Sequence, residues 1–509
     1  MIYKIIFNRN LLLLPILFFC LDIISANNDS LVTKPKILIA KVADREITLD
    51  DFLSRSEYTI RPAYCKGNTN IDKKIVLNSL IAEKILSFQP EIRNKLLQNE
   101  MFTNLIQGRR EQKMRALLSY YEGDKNVKID TNEIKRVYST AGRTYKVEYF
   151  NISDPVLAIR LNNKYSKKDS SFQKIYSNLS IRDSIRKKEV SWYSKDSRII
   201  HQALFSKMLK KNQMIGPINI DDTTHLFIKI GGWDDKLAIK EQDITNRWND
   251  VEEELAQEKA DSLYDKFVLG IMAGKQLSFN AGVFNKVVKL MAPSYTNQKS
   301  KAEDEFMSLE YNKNVESNDK NKIGDDYNEI KNEPLFTIDK KIWTVSDFYK
   351  EMDKHPIVLR KNDFKKKFAL RLRNAVADLI RDKYLTDLAY QRGYNNDEIV
   401  SHYEQIWTDA GIAFFQKTEF LKNFDVKDKR DVQIIENFLN PVVEQLLKKY
   451  SDQIEINVEE YDKIKLTRID MFTTQEQVPY PVYVPPFPQL TNYNKLDYGK
   501  KMNVGADRK

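Results

Sequence analysis

Cysteine, histidine, glycine and proline are all scarce in this chain. Its 509 residues include 2 Cys, 4 His, 15 Gly and 15 Pro. Two cysteines cannot form a disulfide framework, and four scattered histidines argue against a metal site with several histidine ligands. The patterns Gly-x-Ser-x-Gly and His-Glu-x-x-His and a Gly-rich phosphate loop are absent as well. We therefore expect no metal and no other cofactor.

The composition indicates a globular, mainly helical protein. Apolar residues make up 42% of the chain and charged residues 30%, which is typical of folded domains. Apolar residues recur three and four positions apart over long stretches and predict amphipathic helices. The formal net charge is +10, but basic residues alternate with acidic ones and do not cluster with aromatics. We expect no nucleic-acid partner, while peripheral contact with an anionic membrane stays open.

Residues 1–26 have the pattern of a signal peptide. A basic start precedes a short apolar stretch, and Ile24-Ser25-Ala26 offers small residues for cleavage. Phe19 occupies the position where a lipid-modified cysteine needs a small neighbour, so we expect no lipid anchor at Cys20. The protein is predicted to be exported to the periplasm or cell envelope. Cleavage would leave Cys65 as its one cysteine.

One pattern occurs twice in the chain. Each copy has a short apolar strand, a polar turn, a threonine and then an Asp-Phe pair that opens a helix. Two further similarities follow in the same order, and together they predict a duplicated module. The matched segments are 42–52 with 338–348, 80–86 with 379–385, and 127–130 with 454–457.

Between the two copies the pattern changes. Residues 145–152 and 225–230 alternate in polarity and predict strands. Residues 244–271 then return to helical spacing. Residues 297–332 are almost entirely polar and predict a linker, long enough for the two halves to move relative to each other.

The order of these segments resembles a known family. Residues 42–52, followed by the helix with Leu80-Ile81-Ala82-Glu83-Lys84-Ile85-Leu86, look like the amino-terminal chaperone domain of SurA-type and PrsA-type foldases. In that family a parvulin-type prolyl isomerase domain follows. The carboxy-terminal half of such a domain is similar to Trp192-Tyr193, Ala203-Leu204-Phe205, Met214-Ile215-Gly216-Pro217-Ile218 and 224–230, in this order.

The resemblance implies a site. His225 falls on the position of the second family histidine and is the candidate catalytic residue. Trp192, Tyr193, Phe205 and Met208 are the candidate substrate-binding residues, with packing in a core as the alternative interpretation of each. Tyr149-Phe150-Asn151 occupies the place of the other expected histidine. Half of the polar set is therefore missing, and isomerase activity is expected to be reduced or lost.

Taken together, the sequence predicts a mostly helical α+β protein with two related chaperone modules, the first carrying an inserted parvulin-like α/β domain. It is expected to bind unfolded or nascent envelope and outer-membrane proteins. The alternatives are an active parvulin-type isomerase and a non-catalytic assembly factor for one dedicated envelope partner. The predicted segments are a signal peptide (1–26), a first module (36–140 with 237–290), a parvulin-like domain (141–236), a charged linker (291–333), a second module (334–475) and a flexible Pro/Tyr-rich tail (476–509).

Overall fold

A computed structural model describes most of the chain between residues 36 and 502. Of the predicted signal peptide only 2–6 are described, and 297–325 of the predicted linker lie outside the description. Within the described ranges, none of the helices has the length and apolar character that crossing a bilayer requires. The described ranges are 2–6, 36–165, 172, 176, 185–194, 196–221, 224–296, 326–360, 367–426, 429–467 and 483–502.

The described chain is mostly helical with three small sheets, which confirms the predicted α+β class. The helices are α1 (Leu49–Glu57), α2 (Asn70–Ser87), α3 (Pro90–Leu97), α4 (Glu100–Glu122), α5 (Thr131–Ala141), α6 (Pro155–Tyr165), α7 (Arg198–Phe205), α8 (Glu241–Met272), α9 (Ala281–Thr296), α10 (Val345–Lys354), α11 (Phe368–Gln391), α12 (Glu398–Leu421), α13 (Asp431–Ile434), α14 (Asn440–Lys449) and α15 (Val458–Lys463). The strands are β1 (Ile2–Ile6), β2 (Leu38–Val42), β3 (Arg45–Thr48), β4 (Arg143–Ile152), β5 (Arg186–Ser191), β6 (Met214–Asp221), β7 (Thr224–Asp235), β8 (Gln276–Asn280), β9 (Pro334–Ile338), β10 (Lys341–Thr344), β11 (Ile454–Ile456) and β12 (Lys500–Lys501).

The hairpins β2–β3 and β9–β10 are equivalent residue by residue. Ala40 pairs with Ile47 in the first, and Phe336 pairs with Trp343 in the second. Each hairpin leads into a helix through a capping box. The threonine side chain accepts a hydrogen bond from the N–H of the third helical residue, and the side chain of that residue, an aspartate, accepts one from the threonine N–H. Thr48 and Asp51 form the first box, and Thr344 and Asp347 the second.

Each hairpin takes its third strand from a different part of the chain. In sheet A (order β1-β8-β9-β10), β8 pairs with the hairpin that follows it. In sheet B (order β12-β11-β2-β3), β11 pairs with the hairpin β2–β3, more than 400 residues before it. The registers agree, since Leu277 pairs with Ile338 just as Ile454 pairs with Val42. The predicted match of 127–130 with 454–457 holds for local structure, since each segment follows a short 3₁₀ turn and ends in the residue that caps a helix, Asp130 and Asn457. It does not extend to the sheets, because residues 127–130 form no strand and the counterpart of β11 is β8.

Helices from the two halves of the sequence pack against one another. Helix α2 lies against α12, and α4 lies against both α11 and α12. One apolar cluster joins Phe102 and Ile106 of α4 to Trp407 of α12. A second joins Leu117 of α4 to Ala389 of α11. The expectation that a linker lets the halves move independently does not hold for these helices, because moving them apart would expose shared cores.

The end of the chain is packed, although the sequence predicted a flexible tail from residue 476. Its described part, residues 483–502, crosses α2 and places Leu490 and Thr491 in the interior. Asn78 of α2 is fully buried, and its Nδ2 donates to the carbonyl oxygens of Tyr493 (2.6 Å) and Lys495 (3.0 Å). A buried amide needs such partners, so this segment completes the core over α2.

Residues 143–235, here called the insert, form a compact unit between α5 and α8. Sheet C (order β5-β4-β7-β6) is antiparallel throughout. Helices α5, α7 and α8 cover one face of the sheet and contribute Val137, Leu204 and Val251 to its core. Helix α6 covers part of the other face with Ala158. The candidate site residues all lie in this insert.

Candidate functional site

His225 lies near the start of β7 and is 8% exposed. Strand β7 runs between β4 and β6, so His225 is flanked by Ile152 on β4 and Asn219 on β6. Side chains alternate between the two faces of a strand, which puts His225 on the same face as Phe227. Phe227 packs in the cluster beneath α6. The candidate histidine therefore faces the α6 side of the sheet.

One nitrogen of the His225 ring is hydrogen-bonded and the other is not. Its Nδ1 lies 2.7 Å from Asn219 Oδ1, an oxygen that can only accept, so Nδ1 carries the proton. In the uncharged form of an imidazole protonated at Nδ1, Nε2 carries no proton. This atom is buried and has no hydrogen-bond partner within the described ranges. Asn219 fixes the tautomer in which this atom is a hydrogen-bond acceptor.

The residues in place of the second family histidine do not complete the polar set. Phe150 faces the same side as His225 and stacks on Phe227 with ring centroids 5.5 Å apart. Tyr149 and Asn151 precede and follow Phe150 on β4, so they face the opposite side of the sheet. Beside His225 these positions supply an aromatic ring and no second acid–base group. One imidazole and one amide, those of His225 and Asn219, form the polar pair on this face.

Trp192 and Phe205 are core residues on the other face of sheet C. Their ring centroids are 5.4 Å apart, and both rings also contact His201. The Trp192 carbonyl lies 3.0 Å from His201 Nε2, and burial lowers the pKa of His201. The neutral ring of His201 thus packs as an aromatic side chain. The structure places Trp192 and Phe205 away from the face that holds His225.

Tyr193 and Met208 are exposed and belong to no described apolar cluster. Their exposed fractions are 58% and 63%. The Tyr193 hydroxyl donates to Asp250 of α8 at 2.5 Å, which ties the end of β5 to that helix. The structure therefore does not bring the four candidate substrate-binding residues together around His225.

Sequence reasoning missed two features of the insert. The first is Asn219, which no pattern distinguishes from other strand residues. The second is Arg198 at the start of α7, buried against acidic residues of α8. Its guanidinium lies 3.4 Å from Glu254 and also pairs with Asp261. The spacing of these acids along one helical face was the available signal.

That acidic row continues to Asp265 on the same helix. Burial raises the pKa of Asp265 to about 6, and the neighbouring charge of Asp261 adds to the rise. Arg198 and Arg381 act in the opposite direction. One buried arginine on α7 thus interacts with several carboxylates of α8, and these interactions hold the insert against that helix.

The remaining histidines have structural contacts. The Nε2 of His355 lies 2.6 Å from Glu111, and that of His402 lies 2.8 Å from Asp51. Each contact links the two halves of the sequence. No group of three potential metal ligands occurs in the part of the chain that the structure describes.

Compared with protein-family models, curated proteins and solved structures, the chain matches none of them.

Proposed function

We propose that this protein is an exported chaperone of the SurA and PrsA foldase type. It binds unfolded or nascent segments of envelope and outer-membrane proteins in the periplasm or cell envelope. Two related hairpin–helix modules form its body, and the first carries the parvulin-like insert. Prolyl isomerase activity is reduced or lost, and binding does not require a cofactor.

The placement of the insert carries this proposal. Sheet C interrupts a helical unit between α5 and α8, and its ends meet where the Lys236 N–H donates to the Gly142 carbonyl at 2.8 Å. A hairpin, helices, a four-stranded domain and a returning helix follow in the order that the resemblance implies. The equivalent hairpin β9–β10 supports a second module without an insert.

Uncovered apolar side chains provide the binding surface. Val156 and Ile159 are one turn apart on α6 and both are mostly exposed. Leu237 and Ile239, in the segment that joins the insert to α8, are 76% and 81% exposed. Burying one such aliphatic side chain contributes roughly 1.5–3 kcal/mol. Several of them give weak binding that tolerates many client sequences, as a chaperone requires.

The incomplete polar set around His225 is the reason for proposing weak catalysis. The barrier to rotation about an X-Pro bond is about 18–20 kcal/mol. Lowering it substantially requires polar groups placed around the amide in a site that excludes water. On β4, Ile152 lies beside His225, Phe150 lies further along the same face against Phe227, and Tyr149 faces away. A single imidazole is left for this task.

The test is suppression of aggregation when an unfolded outer-membrane protein is diluted from urea. Light scattering should fall with the full chain and fall less with the double variant Leu237→Ser/Ile239→Ser. Both side chains are exposed, so the fold should survive, and Val458→Ser, at an exposed position of α15, is the control. His225→Ala should leave suppression unchanged. No suppression by the full chain would exclude the proposed function.

Replacing residues 143–235 by two glycines tests the role of the insert. The hydrogen bond between Gly142 and Lys236 indicates that so short a bridge fits. Most of the suppression should remain if the helical modules bind clients. Because this deletion uncovers Val251 and Leu255, it should be combined with Val251→Ser/Leu255→Ser. Complete loss of suppression in the soluble deletion variant would assign client binding to the insert.

An active isomerase is the second candidate, and the unpartnered Nε2 of His225 favours it. A proline-peptide assay distinguishes the two. We expect little or no acceleration by the full chain. Acceleration that His225→Ala removes, with unchanged stability, would instead make the protein a working isomerase.

A dedicated assembly factor was the remaining alternative, with its partner reached through the Pro/Tyr-rich end. The structure does not favour that route, because residues 483–502 are packed against α2. Removing 478–509 would damage the core, so loss of a complex on truncation would carry no information about a partner.

A further inference from the structure

When β1 is set aside, β8 becomes an outer strand of sheet A. Among the outer strands of the three described sheets, it is then the one that contains neither a charged residue nor a proline. Its sequence is Gln276-Leu277-Ser278-Phe279-Asn280. The other outer strands, β3, β5, β6, β10 and β12, all contain charged residues, and β6 also contains a proline. Charges and prolines on an outer strand prevent pairing with foreign chains, so β8 lacks the protection that the others have.

An extended segment of the same chain occupies this edge. Strand β1 pairs antiparallel with β8 over five residues, with Lys4 opposite Ser278. The sequence Ile-Tyr-Lys-Ile-Ile of β1 carries one charge and is otherwise apolar or aromatic. Leu277 and Phe279 of β8 are buried in the core of sheet A, so the edge itself is held rigidly. A rigid neutral edge presents its backbone groups ready for pairing.

We propose that the outer edge of β8 is a strand-acceptor site, which binds one extended, mostly apolar segment of an unfolded client after the signal peptide carrying β1 has been removed. This inference rests on the proposed function and adds how a client is held. Backbone hydrogen bonds to β8 supply sequence-independent affinity, and the alternation of side chains selects segments that resemble β1. In the uncleaved chain, β1 blocks the site.

Site-directed cross-linking tests the pairing. The chain starting at residue 27 carries Ser278→Cys, and the probe is a peptide of residues 1–9 with Lys4→Cys activated as a mixed disulfide. The remaining cysteine, Cys65, is buried, and burial raises the pKa of its thiol to about 12, so it should not compete. The register control is the same peptide with Ile5→Cys, because residue 5 pairs with Leu277, whose side chain points into the core.

The Lys4→Cys peptide should label the introduced thiol at position 278 several-fold faster than the Ile5→Cys peptide. Unlabelled peptide and a urea-unfolded outer-membrane protein should both compete. In the full chain with Cys20→Ser, the chain's own β1 should slow labelling. Equal labelling by both peptides, or no labelling, would overturn the proposal. Disulfide-linked dimers through position 278 would also overturn it, because they would show that a second copy occupies the edge.

The same variants and peptides distinguish a failure of this inference from a failure of the proposed function. Suppression of client aggregation should fall when the peptide is covalently attached at position 278. If suppression is unchanged, clients bind elsewhere and the acceptor proposal is wrong, while chaperone function stands. A third outcome is that no form of the protein suppresses aggregation, while register-specific labelling occurs and the client does not compete. In that case the proposed function fails, and β8 binds only the protein's own signal peptide. An unfolding midpoint equal to that of the unsubstituted chain confirms that Ser278→Cys leaves the fold intact.

Discussion

Lys84 on α2 donates to Asp409 on α12 with 3.1 Å between Nζ and Oδ2, and both side chains are buried. The two residues belong to different halves of the sequence. Arg45 and Gln405 approach the same carboxylate. The contact shows how closely the halves are joined, because a buried charge is stable only where its partner is fixed.

Replacing Lys84 by methionine should destabilise the protein by about 2–4 kcal/mol, since Asp409 would remain buried with Arg45, at 3.5 Å, as its remaining charged neighbour. Urea unfolding measured by circular dichroism provides the value. The matched control is Lys286→Met, which breaks the exposed pair with Glu333 and should cost less than about 1 kcal/mol. Similar costs for both variants would mean that Lys84 is not needed to compensate Asp409.

The contact of Asn78 with the chain end makes a second prediction. Asn78→Ala removes the donor to two backbone carbonyls in a buried site, and we expect a loss of about 2–4 kcal/mol. In limited proteolysis of this variant, the first cuts should fall within 483–502, and mass spectrometry of the fragments identifies where they occur. Asn423→Ala, at an exposed position, is the control and should change neither stability nor the cleavage site. Unchanged protection of the chain end in Asn78→Ala would contradict this account.

Glu111 should make stability depend on pH in the acid range. Burial raises its pKa, but hydrogen bonds from His355, Gln107 and Tyr390 outweigh that effect and hold the pKa at about 2. An unfolded glutamate titrates near 4.5. The stabilisation is therefore complete above that value and is lost as the pH falls towards 2.

The difference in unfolding free energy between the wild type and Glu111→Gln measures this stabilisation. It should be about 2–3 kcal/mol at pH 6 and should shrink steadily between pH 4.5 and 2. Exposed Glu91→Gln should show a difference near zero throughout. A difference for Glu111→Gln that does not vary with pH would show that its contribution is packing and not charge.

Asp265 should make stability depend on pH in the opposite direction from Glu111. Its pKa is raised to about 6 in the folded protein from 3.8, so the folded state favours the protonated acid. Stability from this group is present below about pH 3.8 and is lost as the pH rises through 6. Asp265→Asn should therefore stabilise the protein by about 1–2 kcal/mol at pH 8, after allowance for its partial exposure, with little effect near pH 4.

Thermal unfolding at the two pH values tests this prediction. Glu252→Gln on an exposed face of the same helix is the control, with an expected change below about 0.5 kcal/mol. Destabilisation of Asp265→Asn at pH 8 would mean that its charge is needed by Arg198 or Arg381.

Local chemistry made several elements predictable. The capping boxes at Thr48 and Thr344 depend on residues three positions apart, so the sequence alone reveals them. Helix α5 begins after Asp130, whose side chain accepts a hydrogen bond from the Asn132 N–H two residues on. Strands β4 and β7 follow from alternation, and α8 follows from helical spacing. In each case the responsible contacts lie within one or two turns of the chain.

Long-range pairing was not predictable in the same way. Nothing local to Leu277 or Ile454 indicates which hairpin each strand joins, because several partners would satisfy the same alternation. The packing of 483–502 depends on acceptors needed by Asn78, which lies far away in sequence. The site shows both limits, since His225 was placed correctly on a strand while the sheet face of Phe205 required the tertiary structure.

The position of β11 has a consequence for how the molecule is made. Sheet B begins with residue 38 but takes its third strand from residues 454–456. A polypeptide that emerges from a ribosome or a translocation channel amino end first must hold its opening hairpin unfinished until nearly the whole length has appeared. Sheet B and the core packed against it are thereby completed only late in synthesis.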